Sequence, residues 1–271
     1  MIYVLTIAGS DSSGGAGIQA DIKTITGLGA HALTAVTAIT AQNSMGVVEI
    51  YEVPERIVSL QIETVIKEIL PGAVKIGMMH SGGIIREVAR VIKKNRLERV
   101  VIDPVLRASA GGQLLEESAV TLLKDILFPL ATVITPNLEE AGILTGKKVE
   151  NLSEMEEAAR EMKGMGPDVV LTGGHLEENC VDLVYNGTDM HYFQGSKIET
   201  ANTHGSGCVF SSSLATFLAM DHGLVEAAGL AHDFTRHAIE KGYACGHGAG
   251  VVSPGYSQVK KIGSSIRELV D

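Results

Sequence analysis

The sequence predicts an α/β fold, a doubly wound and mostly parallel sheet with helices on both faces. Short β-branched runs alternate with helical apolar periodicities along the chain, which is the pattern of strands paired in parallel through right-handed crossovers. Hydrophobic residues make up 45% of the 271 and tryptophan is absent, so the core is aliphatic, built from Val, Ile, Leu, Ala and Met. Glycine occurs 31 times, above the usual share of about 7%, and points to tight loops where backbone comes close to something.

Taken in order, residues 2–8 read as a strand, and Ile18, Ile22 and Ile25 then recur at helical spacing up to Gly27-Leu28-Gly29. Residues 32–41 read as a second strand. Pro54 opens a helix with Val58, Ile62, Val65, Ile66 and Ile69 on its apolar face, closed by Pro71-Gly72. Ala73–Gly77 is a buried strand, followed by a helix over 84–94, a strand over 100–103 and a helix over 115–128. Strands at 132–135 and 169–172 flank a helix whose start carries Ser153 and Glu156 as a capping box. Asn186-Gly187, between the runs 180–185 and 190–193, signals a hairpin. With no internal repeat, low-complexity tract or long linker, residues 1–271 are expected to form a single domain.

The net charge of −10 is spread along the chain rather than gathered in a tail. An acidic surface repels phosphate polymers, which argues against nucleic acid as a partner and leaves a small molecule. Cys180, Cys208 and Cys245 are too few and too scattered for a disulfide framework and suit a reducing compartment. The apolar start, Met1 to Ala8, lacks the basic lead of a signal peptide, and no run approaches the roughly 20 apolar residues of a membrane span. The expected location is the cytoplasm.

The segment Thr203-His204-Gly205-Ser206-Gly207-Cys208 runs into a helix with Phe210, Leu214, Phe217 and Leu218 on its apolar face. Gly205 and Gly207 withhold side chains where the helix N–H groups lie unpaired. Free donors and the positive dipole end coincide there, so such a start holds an anion. An ordinary tight turn onto a buried helix reads the same way. Cys208 falls in the first turn, where the helix end lowers a thiol's pKa. A thiolate there takes a proton from an attacking hydroxyl while the N–H groups hold the charge that develops on a transferred phosphoryl. The other reading of Cys208 is a buried, inert thiol.

His204 and Cys208 stand four apart, but no second pair completes a zinc site. His175 with Cys180 and Cys245 with His247 fail for the same reason. Gly15-x-Gly17-x-x-Ala20 imitates a dinucleotide fingerprint. However, its loop is too long, and the second strand ends in Thr40-Ala41-Gln42-Asn43 with no carboxylate for a ribose. Gly142 to Lys148 has the wrong spacing for a P-loop. Asp103, at a strand end, and Glu140 are candidates for magnesium, and equally for a loop charge and a helix-start carboxylate.

Ala8-Gly9-Ser10-Asp11-Ser12-Ser13-Gly14-Gly15-Ala16-Gly17-Ile18-Gln19-Ala20-Asp21 resembles the opening signature of hydroxymethylpyrimidine phosphate kinases. Thr203 to Cys208 resembles their phosphoryl-transfer motif, with Ser206 where threonine is usual. Asp103-Pro104-Val105, Thr135-Pro136-Asn137 through Glu140, and Gly173-Gly174-His175-Leu176 fall in the family's order, so the resemblance covers nearly the whole chain. It implies a ribokinase-like fold, a homodimer, and ATP and Mg²⁺ as cofactors. The expected reaction is phosphorylation of 4-amino-5-hydroxymethyl-2-methylpyrimidine and then of its monophosphate.

By the same resemblance, Cys208 is the base and Gly205, Ser206 and Gly207 form the anion hole. Gln42 reads the aminopyrimidine edge, since an amide both donates and accepts, and Gly9, Asp21 and Met78 complete the substrate pocket. Asp103, Asn137 and Glu140 organise magnesium and the ATP phosphates, with Thr172 and Gly174 at the nucleotide. Two positions depart from the family. A lysine usual near Ser109 is missing, leaving Arg107 as the nearby cation, and Thr172 stands where lysine often precedes Gly173-Gly174. Pyridoxal kinase, a relative acting on a similar ring alcohol, and a non-catalytic pyrimidine-binding module are the competing readings.

Overall fold

A computed structural model describes residues 1–107, 112, 114–174 and 180–255; the segment around Ser109 and the pair His175-Leu176 lie outside the described residues. Among the described residues nine strands form one sheet: β1 (Tyr3–Asp11), β2 (His31–Asn43), β3 (Gly46–Glu52), β4 (Ala73–Ile76), β5 (Val100–Ile102), β6 (Val133–Ile134), β7 (Asp168–Leu171), β8 (Cys180–Tyr185) and β9 (Met190–Gly195). Their order is β3-β2-β1-β4-β5-β6-β7-β8-β9. Neighbours from β2 to β7 pair in parallel, while β3 pairs antiparallel with β2 at one edge and β8 pairs antiparallel with both β7 and β9 at the other.

The helices are α1 (Gly17–Gly27), α2 (Glu55–Ile66), α3 (Gly82–Asn95), α4 (Glu117–Leu122), α5 (Leu138–Thr145), α6 (Leu152–Lys163), α7 (Ser206–Ala219) and α8 (Leu224–Glu240). Strand residues alternate between two cores. Leu5, Ile7, Ile76, Ile102 and Ile134 pack toward α2, α3, α5 and α6, whereas Val4, Val101, Val133 and Val170 pack toward α1, α7 and α8. Burial on both faces explains why these strands read as continuous apolar runs. Among the described residues, no helix is long and apolar enough to cross a membrane.

Four local readings are corrected. Strand β3 was not anticipated, because three of its seven residues are exposed and none is fully buried. Helix α2 ends at Ile66, short of Pro71, although Ile69 still packs on the core. The helix expected over 115–128 breaks into α4, a π turn at Leu123–Leu127 and a 3₁₀ turn at Phe128–Leu130. Ser153 and Glu156 do not cap α6. Asn151 does, its Oδ1 accepting from the Glu154 N–H at 3.0 Å, and Ser153 already lies inside the helix. The β8–β9 hairpin forms as expected, with Asn186 Oδ1 accepting from the amides of Thr188 and Asp189 at 2.9 and 2.8 Å.

From β1 the chain passes to β2 on one side and later returns to β4 on the other. The two directions separate at the carboxyl ends of β1 and β4, where open α/β sheets bind their ligands.

Candidate active site

A cavity of about 260 Å³ lies across those carboxyl ends. Gln42 of β2 lines one extreme and Asp182 of β8 the other, with Cys208 and the 205–207 loop also in its wall. Six strand intervals separate β2 from β8, which at about 4.8 Å each is ~29 Å.

The centre is built by two loops that grip one another. Asp11, at the end of β1, accepts from the amides of Ser13, Gly15 and Ala16 at 2.8, 3.2 and 2.8 Å, and from the Ser13 hydroxyl at 2.7 Å. His204 Nε2 adds a fifth bond at 3.0 Å across 193 residues of sequence. Burial acts to raise the Asp11 pKa, but the bonds from His204, Ser13 and Ala16 outweigh it and hold the carboxyl well below the usual range. Gly205 caps α7 at φ +88, and a Cβ there would lie 1.9 Å from the carbonyl oxygen of Gly15. Glycine is therefore required at 205 by the protein's own backbone. Gly207 differs: among the described residues a Cβ there would meet only Asp103 Oδ2, at 4.0 Å, so its bare face is turned to the cavity.

No side chain caps α7. Among the described residues the N–H groups of Gly207 and Cys208 have no protein acceptor, so the helix start presents the open donors expected from the sequence. The expectation for the thiol is reversed. Burial pushes Cys208 up to about 12; the Lys75 ammonium and the Gly17 amide act downward, but Asp21 and Asp103 add to the rise. The helix-end effect is local, and these buried charges come from α1, β4 and the residue just after β5.

Lys75, which the sequence reading passed over, is fully buried and lines the cavity. Its Nζ bonds both oxygens of Asp21, at 2.9 and 3.0 Å. Burial opposes its charge, yet Asp21, Cys208 and Asp103 together raise its pKa above the ordinary value. Asp21 also accepts from Thr6 Oγ1 and Ser212 Oγ, both at 2.6 Å. This corrects the sequence reading: Asp21 has no exposed surface and does not line the cavity, being used up as the counter-charge of Lys75. A lysine in the middle of a strand is a signal of a buried partner, but the partner itself is not encoded locally.

The other expected site residues, Gly9, Gln42, Met78, Asp103, Asn137, Glu140, Thr172, Gly174, Gly205, Ser206, Gly207 and Cys208, all line the cavity. Asp103 accepts from Ser211 Oγ at 2.9 Å and is raised, by burial first, against the pull of Lys75. Glu140 forms a capping box with Asn137, Oε2 accepting from the Asn137 N–H at 3.0 Å and the Glu140 N–H donating to Asn137 Oδ1 at 2.9 Å. Burial, followed by the charge of Asp103, pushes Glu140 up to about 8. Among the described residues no three His, Cys, Asp or Glu side chains converge on one metal position. Two hard carboxylates fit an ion that completes its shell with water and phosphate oxygens, which is the habit of magnesium. Arg107 lies at the rim, paired with Glu139 at 3.0 Å.

The phosphomethylpyrimidine kinase family model matches residues 11–253. The hydroxymethylpyrimidine/phosphomethylpyrimidine kinase of Bacillus subtilis is 40% identical over 90% of this chain and 92% of its own. The thiamine biosynthesis bifunctional protein ThiED of Geobacter sulfurreducens is 43% identical over 92% of this chain, which spans about half (51%) of that longer protein. The structure of a Bacillus subtilis pyridoxal kinase in complex with ADP superposes with a TM-score of 0.88 at 37% identity, covering 93% of this chain and 97% of that one. Fold and site together define a phosphotransferase of the ribokinase-like class. Within that class, the chain belongs to the phosphomethylpyrimidine kinase family.

Proposed function

We propose that this chain transfers the γ-phosphoryl group of ATP to the hydroxymethyl oxygen of 4-amino-5-hydroxymethyl-2-methylpyrimidine, and then phosphorylates the monophosphate. One observation carries the reading: a cavity reaching from β2 to β8, with a bare helix start and a thiol in its wall. A span of ~29 Å exceeds one small ligand and suits two laid end to end with the reacting atoms at the middle.

On the β1–β2 side, Gly9 and Met78 offer a flat apolar seat. The Gln42 amide, whose Oε1 already takes a bond from Thr40 Oγ1 at 3.2 Å, supplies the polar edge for an aminopyrimidine. Cys208 receives the hydroxyl proton, and the Gly207 and Cys208 amides hold the charge that develops on the phosphoryl. Burial makes a strong base of the small thiolate fraction, so turnover should climb with pH while that fraction limits the rate. Asn137, Thr172 and Gly174 accompany the donor nucleotide toward β8. Asp103 and Glu140 would hold magnesium, which when bound supplies positive charge to the phosphate oxygens.

Turnover of the pyrimidine and of pyridoxal, measured side by side with Mg-ATP, tests the assignment. Pyridoxal preferred by orders of magnitude overturns it in favour of the second reading, which the likeness to a pyridoxal kinase motivates. Binding of the pyrimidine without turnover would favour the non-catalytic module. Mono- and diphosphate products distinguish one step from two. We extend the proposal to one catalytic domain over residues 1–271, acting in the cytoplasm, where three unpaired cysteines are at home. A homodimer is supported by Ile39 and Tyr51, register partners in β2 and β3 that are 52% and 64% exposed.

A further inference from the structure

The β8 end of the cavity contains polar groups for which the steps above have no use. His232, Thr235, Arg236 and Ile239 all line it and lie at i, i+3, i+4 and i+7 on α8, a single stripe of that helix. His232 Nδ1 is 2.7 Å from Asp182 Oδ2 on β8, with both side chains under a tenth exposed. The other Asp182 oxygen accepts from the Gly173 N–H at 3.1 Å, where β7 ends. A carboxylate only accepts, so this pairing places a proton on Nδ1, and in the neutral ring Nε2 is then the lone-pair acceptor. Among the described residues nothing bonds that Nε2.

Three residues further along the stripe, the Thr235 hydroxyl is buried without any partner, one of two such side-chain atoms among the described residues. A helical threonine normally returns its hydroxyl to a carbonyl one turn back, and it divides between two χ1 rotamers. An unpaired buried hydroxyl is costly, and a group of this kind in a cavity wall calls for a missing partner.

We propose that His232 Nε2 and the Thr235 hydroxyl together read a hydrogen-bond donor on the nucleoside half of the phosphoryl donor, with Asp182 acting as the positioning residue that fixes the histidine tautomer. This rests on the two-ended reading of the cavity, since the acceptor ring at β2 leaves the nucleoside at β8. The donor that is read is a ribose hydroxyl or the exocyclic amine of the base, and choice of nucleotide separates the two.

Calorimetric titration with ADP, 2′-deoxy-ADP, 3′-deoxy-ADP and IDP tests this on wild type, Thr235→Val and His232→Phe, with melting temperatures measured alongside. Thr235→Val is expected to weaken ADP roughly three- to tenfold, the effect of one neutral hydrogen bond. Its melting temperature should hold or rise, because a costly unpaired hydroxyl has gone; a merely structural threonine would do neither. The nucleotide lacking the recognised group should bind wild type and Thr235→Val equally: a deoxy form if ribose is read, IDP if the amine is. Unchanged ADP affinity in both variants, or an equal loss for all four nucleotides, overturns the proposal. These are binding measurements, so a failure of the pyrimidine assignment, seen in turnover, would leave them readable.

Discussion

Asp11 and Glu140 are buried carboxylates in the wall of one cavity, and burial works to raise both, yet they shift in opposite directions. Asp11 is surrounded by five donors from the 11–16 loop and His204. Glu140 feels the charge of a second carboxylate, Asp103, while its Oε2 caps α5. The difference separates two kinds of polar group. One kind is filled by the protein and holds the loops together; the other has its charged form disfavoured and is short of compensating donors, as a ligand site requires. The glycines divide in the same way, Gly205 demanded by backbone and Gly207 by open space.

The partition can be broken most sharply at Cys208. Cys208→Ala should lower kcat by roughly 10²–10⁴, the usual share of a positioned base, with melting temperature and both substrate affinities unchanged. Wild-type kcat should climb from pH 6 to 9, since the base must lose its proton, and the variant should be flat; near-wild-type turnover would remove the thiol from the chemistry. Gly205→Ala belongs to the other kind. It should cost about 2 kcal/mol or more by denaturant unfolding, from a left-handed φ and a clash with backbone. Gly207→Ala should melt like wild type and lose turnover. If both glycines behave alike, the division fails.

Asp11→Asn should destabilise by about 2–3 kcal/mol, a charge-assisted network being weakened. The wild-type contribution is fully present above the unfolded value near 3.8 and is lost as pH falls through the lower folded value. Glu140→Gln carries the opposite sign. The folded wild type binds this proton more tightly than the unfolded chain, so in chelator its stability should fall between pH 4.5 and about 8. The variant should abolish that decline in melting temperature; an unchanged slope would show that the carboxylate is not strained. The smallest effect is expected for Gln42→Leu, a rise of roughly three- to tenfold in KM for the pyrimidine with KM for ATP unaltered. If both constants stay put, the ring lies elsewhere.

The parallel sheet was legible because strands covered on both faces, such as Val100–Ile102, are apolar throughout, and because α1, α3 and α7 carry their own spacing and glycine signals. The exposed β3 carried no such pattern. The loops of the site were legible as motifs, and they do meet in one cavity. What could not be read was the field between them. The proton affinity of Cys208 depends on Lys75, Asp21 and Asp103, from three other elements, and Asp21 looked like a pocket residue until its bonds to Lys75, Thr6 and Ser212 were visible. Likewise, the α6 cap was misassigned because Asn151 and Ser153 are both good cap residues, and only hydrogen bonding chooses between them.

The clasp between Asp11 and His204 also bears on the order in which the molecule can become useful during synthesis. A chain still on the ribosome with its first 200 residues extruded already owns the nine described strands and the carboxylates of Asp103 and Glu140. It lacks the glycine turn, the thiol and the open amides, and its leading loop has nothing to close on. Reactivity therefore arrives in a single late event, because α7 brings the turn and the thiol and, with α8, covers one face of the sheet.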